Sequence, residues 1–222
     1  MAGLYPGNAA QLDWSQRRFA INFPVKGREQ GIEVFTTRAD TIFGATYLVV
    51  APEHPLVAGL LGEDGAVSNA AAVKKYVEEA SHKSDMQRTD LAKEKTGVAI
   101  EGITATNPAT NEEIPVWVAD YVLAGYGTGA IMAVPAHDER DHEFATKFEL
   151  PIVQVIAGDE DVALPYTGSG KLVNSGNFSE ADSVKGKENI TSWLKQRGAG
   201  NATVSYKLRD WVFSRQRYWG EP

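Results

Sequence analysis

Apolar residues along this chain occur mainly in short runs that are rich in β-branched and aromatic side chains. Such runs, when polar segments with turn-forming residues separate them, are typical of β-strands. Between two of them, Asn107-Pro108 and Thr110-Asn111 favour a turn, so the flanking runs are predicted to form a hairpin. The predicted strands cover residues 32–35, 46–51, 98–104, 114–118, 130–134, 152–156 and 203–208.

Fewer segments show apolar residues at helical spacing. Ser68 can cap a first helix, a second is predicted over residues 138–148, and a third over residues 179–197 stops at Gly198. The apolar face of the first helix consists of Val73, Tyr76, Val77 and Ala80. Many strands with few helices predict a mixed α/β (α+β) fold, in which helices decorate a closed or curled sheet.

Composition limits the class of protein. Of the 222 residues, 43% are hydrophobic and 23% charged, which suffices for a buried core in one large or two small domains. No segment approaches the roughly 18 uninterrupted apolar residues of a membrane helix, and residues 1–22 lack the pattern of a signal peptide. A cytoplasmic protein without membrane association is expected. Because the sequence contains no cysteine, disulfides, thiolate zinc sites and thiol nucleophiles are excluded.

The charge balance gives a mixed indication about nucleic acids. A net charge of -7 argues against a protein that binds mainly by neutralising phosphates. Basic residues nevertheless predominate between residues 185 and 217, where they form either a local basic face or an ordinary solvated helix surface.

A threonine-rich segment follows the first predicted strand. Thr36, Thr37 and Thr41 flank Arg38 and Asp40 where that strand gives way to a loop. Their hydroxyl groups can donate to and accept from a ribose or an ester, and the guanidinium of Arg38 can meet a phosphate. Threonine is also simply a good strand residue, so this segment alone leaves the choice open.

A glycine-rich segment leads from a predicted strand into the second helix. Gly125, Gly127 and Gly129 permit a close approach of the backbone, but neither a dinucleotide fingerprint nor a phosphate-binding loop is complete. Asp138 and Asp141 lie on one face at the start of that helix, where the unpaired amides favour an ionised carboxylate. If Asp138 serves as the N-cap, Asp141 remains to hold an ammonium group.

Two histidines in the same segment open an alternative. His137 with Asp141, or Asp138 with His142, are spaced four apart and suit a metal-dependent hydrolase, although no dedicated metal-binding motif is complete. The Gly-x-Ser-x-Gly elbow of serine hydrolases is absent. In a hydrolase, water is therefore the expected nucleophile.

Three segments in order, residues 35–56, 112–151 and 206–222, resemble the leucyl-tRNA synthetase family, namely its editing domain and the return to its catalytic domain. The valyl enzymes typically carry Pro-Glu-Thr where this chain has Ala39-Asp40-Thr41, and the sequence AIMAVPAHDERD also looks leucyl. The chain departs from the family at Ala39, where proline is usual. The resemblance implies a β-barrel core, with residues 1–22 as a junction, 23–205 as the editing domain and 206–222 as the return segment.

The implied function is post-transfer editing, the hydrolysis of the aminoacyl ester on leucine tRNA that carries norvaline, isoleucine or methionine. Thr41 resembles the gatekeeper that excludes leucine, and Asp141 resembles the carboxylate that holds the α-ammonium group. The substrate-binding residues implied are Thr36, Thr37, Arg38, Asp40, Tyr126, Met132, Val134, His137 and Asp138. Both signatures of amino-acid activation are absent, so the ligase site is not in this chain.

The implied partners are the tRNA 3′ end and the rest of the synthetase, in a monomer without metal or other cofactor. A metal-dependent hydrolase using the cluster from His137 to His142, and a non-catalytic module that only positions tRNA, remain the alternatives.

Overall fold

The computed structural model describes residues 18–63, 66–89, 94–125, 127–158 and 163–203, which form a mixed α/β fold. No helix within these ranges is both long enough and apolar enough for a membrane span. The strands are β1 (Arg18–Phe23), β2 (Ile32–Thr36), β3 (Tyr47–Val50), β4 (Gly97–Thr106), β5 (Glu113–Ala119), β6 (Ala130–Ala133), β7 (Ile156–Ala157), β8 (Lys171–Leu172) and β9 (Gly200–Thr203). The α-helices are α1 (Pro55–Gly62), α2 (Ala70–Ser81), α3 (Asp85–Thr89), α4 (Glu139–Lys147) and α5 (Ser183–Gln196).

The strands form three sheets, with the orders β2-β1-β9, β4-β5-β3-β6 and β7-β8. All pairs are antiparallel except β3 with β5. Strands β4 and β5 form the predicted hairpin. Just beyond β1, Val25 bridges Ala105 of β4, and β2 contacts β6, so the two larger sheets meet at two places.

Strand β3 lies between two parts of the core, and all four of its residues are buried. Side chains alternate between the two faces of a strand, so a strand covered on both sides needs no polar positions. Leu48 and Val50 belong to the main core cluster, whereas Tyr47 and Val49 belong to a second cluster with Phe144 of α4. Helix α4 is thereby packed against β3 on the face opposite the main core.

The predicted strand over residues 152–156 is wrong, since only Ile156 and Ala157 form a strand there. The physical reason is that the backbone N–H groups of Val155 and Ile156 donate to the imidazole of His137 instead of to a neighbouring strand. The last predicted strand ends outside the described residues, and its described part belongs to β9.

Strand β1 was not predicted, because the hydrophobic pattern of the sequence before it does not indicate a strand. The predicted boundary between the N-terminal junction and the following domain, at residues 22 and 23, falls inside β1. The helix starts also differ: Asn69, not Ser68, precedes α2, and Asp182 caps α5 through the N–H groups of Val184 and Lys185. Past α5, Gly198 has a φ of 69°, which fits its predicted role as a stop.

Asn107 ties the β4–β5 turn to the segment that follows β2. Its fully buried amide group donates to the carbonyls of Ile42 and Ala45 at 2.9 and 3.2 Å and accepts from Ala109 N–H at 2.9 Å. Replacing Asn107 by alanine removes the side-chain partner of the Ala45 carbonyl and of the Ala109 N–H, whereas the Ile42 carbonyl still accepts the N–H of Ala45. We expect Asn107→Ala to lower the free energy of unfolding by about 2–4 kcal/mol.

Denaturant unfolding measures this loss, and Asn201→Ala on the exposed side of β9 is the matched control, expected to stay within about 0.5 kcal/mol of the parent chain. Equal effects of the two substitutions would contradict the structural role of Asn107.

Candidate functional site

A cavity of about 500 Å³ lies where the end of β2, the segment after β5, strand β6 and the start of α4 meet. From the threonine-rich segment it is lined by Thr36, Thr37, Arg38 and Thr41. From the glycine-rich segment it is lined by Met132, Val134, His137, Asp138 and Asp141. The fold therefore brings together two sets of residues that the sequence separates by almost a hundred positions. Tyr126 lies outside the described residues.

Asp40 is a predicted site residue that does not line the cavity. Its carboxylate is buried and forms an ion pair with the guanidinium of Arg38 at 3.1 Å. A further N–H of Arg38 donates to the carbonyl of Thr167 at 3.3 Å. Asp40 thus acts on the cavity indirectly, by fixing the direction of the Arg38 side chain.

Hydroxyl groups shape the turn that carries Arg38. Thr36 accepts the backbone N–H of Arg38 at 2.9 Å, and the hydroxyl of Thr41 donates to the carbonyl of Arg38 at 2.9 Å. Ala39 opens the 3₁₀ helix Ala39–Gly44, in which Thr41 is almost completely buried. The turn is held by these hydrogen bonds although proline is absent from position 39.

Asp138 is the N-cap of α4, as the sequence predicts. One oxygen of its carboxylate accepts the N–H groups of Arg140 and Asp141, at 2.9 and 3.1 Å. Capping of this kind satisfies amide groups that have no partner within the helix. Because Asp138 performs this task, the Asp141 side chain is not needed for it.

Asp141 instead reaches into the floor of the cavity, with an exposed fraction of only 5%. Its carboxyl group accepts the N–H of Val134 at 2.8 Å and the hydroxyl of Tyr121 at 3.4 Å. Burial, and next the charge of Asp138, raise the pKa of Asp141 to about 7. Within the described residues no lysine, arginine or histidine forms a salt bridge with it. This arrangement suits a cationic ligand.

His137 is a wall of the cavity whose two ring nitrogens are both engaged. Nδ1 contacts the carbonyl of Tyr166 at 2.7 Å, and Nε2 accepts the N–H groups of Val155 and Ile156 at 2.9 and 3.1 Å. A carbonyl can only accept, so Nδ1 carries the proton and the ring is neutral. Burial accordingly lowers the pKa of His137. The ring has no free nitrogen for proton transfer or for a metal.

The proposed metal-binding alternative finds little support in this geometry. The Nδ1 atom of His142 pairs with the carbonyl of Pro135 at 3.0 Å, and Asp138 is occupied as the N-cap. In the part of the chain that the structure describes, no three histidine, aspartate or glutamate side chains come together to hold a metal ion.

Several residues that line the cavity were not predicted from the sequence, namely Arg18, Phe35, Tyr121, Val122, Leu123, Ala130, Ile131 and Arg140. Tyr121 to Leu123 directly follow β5, and the sheet order β5-β3-β6 brings this segment to the cavity. The order of strands in a sheet cannot be predicted from the hydrophobic pattern of any one strand. Arg18 belongs to the strand that was not predicted.

Comparisons with known proteins agree with one another. Residues 15–195 match the family model described as leucyl-tRNA synthetase, editing domain. The leucine--tRNA ligase of Alkaliphilus oremlandii (strain OhILAs) is 52% identical over 204 residues, which are 91% of this chain and 25% of that protein. The agnB2 leucyl-tRNA synthetase of Agrobacterium radiobacter K84, solved in a ternary complex with tRNA and LeuAMS, matches with a TM-score of 0.65 and 28% identity, over 87% of this chain and 20% of that one. The chain thus spans about a quarter or less of these relatives.

The raised pKa of Asp141 has a consequence for stability. A carboxyl group with a higher pKa in the folded than in the unfolded chain makes folding less favourable as the pH rises between the two values. Here that window runs from the ordinary value of 3.8 to about 7. Asp141→Asn removes this titration. As the pH rises through the window, we therefore expect the free energy of unfolding of the variant to increase relative to that of the parent chain, by up to about 4 kcal/mol.

Denaturant unfolding at a series of pH values gives this difference directly. A difference between the two proteins that does not vary with pH would show that Asp141 titrates normally.

Proposed function

The chain belongs to the editing domains of leucyl-tRNA synthetases, and from this premise we propose that its cavity hydrolyses the ester bond between a noncognate amino acid and the 3′ end of leucine tRNA. The observation that carries the proposal is the buried carboxyl group of Asp141 in the cavity floor, which forms no salt bridge with a described lysine, arginine or histidine. The α-ammonium group of an aminoacyl ester supplies the missing positive charge. A charge-assisted hydrogen bond of this kind is stronger than a neutral one.

The other walls have complementary tasks in this proposal. The segment with Thr36, Thr37 and Arg38 offers hydroxyl and guanidinium groups to the ester and the terminal adenosine. Met132 and Val134 supply the apolar surface for the amino-acid side chain. Water attacks the ester carbonyl, the carbonyl–oxygen bond to the ribose breaks, and the products are the free amino acid and the ribose hydroxyl. Because the His137 ring is fully engaged, we assign the transfer of the water proton to a neighbouring ribose hydroxyl of the substrate, which passes a proton on to the ribose oxygen that leaves.

Selection against leucine falls to Thr41 in this proposal. A hydrophobic site resolves one methylene group by only about 1–3 kcal/mol, so a synthetase needs a second site to remove what its first site admits. That second site must reject leucine, whose branch is at the γ carbon. The Thr41 hydroxyl is bound to Arg38, which leaves the methyl group to occupy the space that the branch requires. Norvaline, isoleucine and methionine are the proposed substrates.

The remaining expectations follow from the same family. We propose a β-barrel core, supported by the bridge between Val25 and Ala105 and by the contact of β2 with β6. We further propose that the rest of a synthetase chain and a tRNA are the partners, in a cytoplasmic monomer. Residues 206–222, the predicted return segment, lie outside the described residues.

A non-catalytic tRNA-docking module is the second candidate, and deacylation of mischarged leucine tRNA separates the two. We expect hydrolysis by the parent chain and a loss of at least about 10-fold in kcat/KM for Asp141→Ala, since one charge-assisted contact contributes about 1.5–3 kcal/mol. Asp138→Ala is the matched control, because it removes a carboxylate one helical turn away. It should cost about 0.5–2 kcal/mol of stability as a lost cap and retain most of the activity.

Binding of the tRNA without any hydrolysis would favour the docking module. The opposite pattern, with Asp138→Ala inactive and Asp141→Ala merely less stable, would reverse the assignment of cap and ligand.

Thr41→Ala tests the selection mechanism. Removing the methyl group makes room for the leucine branch, so we expect hydrolysis of correctly charged leucine tRNA to rise by roughly 10- to 200-fold. Hydrolysis of the norvaline ester, measured with the same preparation, is the internal control and should change little. If leucine tRNA stays intact while norvaline tRNA is cleared, the selecting group is not Thr41.

A further inference from the structure

Three consecutive residues after β5, Tyr121, Val122 and Leu123, line one side of the cavity and belong to no strand or helix. We call residues 121–123 the wall segment. The hydroxyl of Tyr121 lies 3.4 Å from one carboxyl oxygen of Asp141, so the position of the wall segment bears directly on the cavity floor. Backbone groups outside a sheet have no strand ladder to bind, so side chains are needed to hold them.

Arg88 of α3 holds the backbone on both sides of Tyr121, although Arg88 does not line the cavity itself. Its Nε–H donates to the carbonyl of Asp120 at 2.7 Å, and an Nη2–H donates to the carbonyl of Val122 at 2.9 Å. The first carbonyl precedes Tyr121 in the chain, and the second follows it. Because the guanidinium group is planar and rigid, its two donors fix the two carbonyls relative to each other.

The carboxylate of Glu53 orients the guanidinium group of Arg88. Its two oxygens accept from Nη1 and Nη2 of Arg88, at 2.7 and 3.3 Å. The exposed fraction of the Arg88 side chain is only 6%. A buried charge needs a paired and hydrogen-bonded environment, and a group bound on both sides has little freedom to turn. Arg88 is therefore a fixed point against which the wall segment is held.

Asp120, which joins β5 to the wall segment, is held by two further groups. Its backbone N–H donates to the hydroxyl of Tyr76 on α2 at 3.0 Å, and its carboxylate pairs with Lys83, which lies between α2 and α3. These contacts fix the start of the wall segment. Of the three side chains, Arg88 is the one that also reaches beyond Tyr121, to Val122.

Resting on the proposed function, we propose that Arg88 is a positioning residue for the cavity, which sets the place of the wall segment by binding the two carbonyls around Tyr121. Without the guanidinium group, the carbonyls of Asp120 and Val122 lose a buried donor, and the wall segment shifts to find other partners. The cavity then fits the aminoacyl ester less well. Arg88 does not touch the substrate and acts only through the wall segment.

Arg88→Met tests this role, because it keeps an unbranched side chain and removes every donor. In deacylation of mischarged leucine tRNA we expect kcat/KM to fall by about 10-fold, mainly through KM, since the wall segment contacts the bound substrate and not the bond that breaks. Glu53→Gln keeps an acceptor for Arg88 and leaves both carbonyl contacts in place. Its kcat/KM should fall by no more than about 2-fold, because Glu53 is half exposed and the lost charge is screened.

Arg28→Met is the matched control. Arg28 lies between β1 and β2 and forms an ion pair through both its terminal nitrogens, with Glu63 at 3.2 and 2.8 Å, and neither residue lines the cavity. Its deacylation kinetics should equal those of the parent chain. If Arg28→Met or Glu53→Gln loses as much activity as Arg88→Met, the loss of an ion pair explains the effect. Either result would overturn the role of the carbonyl contacts and with it the proposal.

Amide hydrogen exchange separates positioning from general stability and does not depend on hydrolysis. In Arg88→Met the amides of the wall segment should exchange faster than in the parent chain, by a factor at least about 10-fold larger than that for the amides of β3 in the core. Equal factors for the two segments would show only a loss of global stability. Unchanged exchange of the wall segment would show that Arg88 does not hold it. Both outcomes contradict the proposal.

A loss of the proposed function and a loss of the positioning role give different results. If the parent chain hydrolyses no ester, the proposed function fails, and hydrogen exchange still decides whether Arg88 holds the wall segment. If Arg88→Met does not fold, Arg88→Lys takes its place. Its ammonium group lacks the fork that spans both carbonyls, so the same changes are expected at smaller size. If neither variant folds, Arg88 serves the fold as a whole, and the positioning role is rejected.

Discussion

The carboxylate of Asp138 accepts two backbone N–H groups at the start of α4, and this cap sets how the helix leaves β6. The cap leaves Asp141, one turn further on, to turn its side chain inward rather than back along the helix. There the carboxyl group meets the N–H of Val134, the last residue before the chain bends away from β6. The helix and the strand together hold the buried acid at this place. The cavity floor follows from that one local arrangement.

Strand β3 explains how such a floor stays rigid. Because it is buried on both faces, it is fixed by the main core on one side and by α4 on the other. Tyr47 of β3 makes two kinds of contact with α4. Its ring stacks on Phe144, and its hydroxyl donates to the backbone carbonyl of Asp141. The aromatic packing that stabilises the helix therefore also fixes the position of the acid. Packing and polar chemistry are joined in one side chain.

How far the sequence predicted this structure depends on the range of the interactions involved. Local signals were sufficient for the β4–β5 turn, for Asp138 as an N-cap and for the stop at Gly198, since each depends on neighbouring residues. The family resemblance then correctly indicated the family and the mixed α/β class. The failures were non-local. The strand at residues 152–156 was lost because its amide groups bind His137, and Tyr121 was missed because only the sheet order brings it beside β6.

Arg38 and His137 stand on separate walls of the cavity, yet both contact the same short loop, at the carbonyls of the consecutive residues Thr167 and Tyr166. Both acceptors are backbone atoms, so these two contacts do not depend on the side chain of Thr167, whereas the Tyr166 side chain packs against the main core and donates to the carbonyl of Ser169. The chain length next to these two residues is more restricted, because an insertion or deletion beside Tyr166 or Thr167 would carry the two carbonyls away from their donors. In directed evolution of this cavity, substitutions at Thr167 should be tolerated where insertions and deletions beside it are not. A change of loop length would act on two walls at once, and it offers a way to reshape the cavity without replacing any residue that lines it.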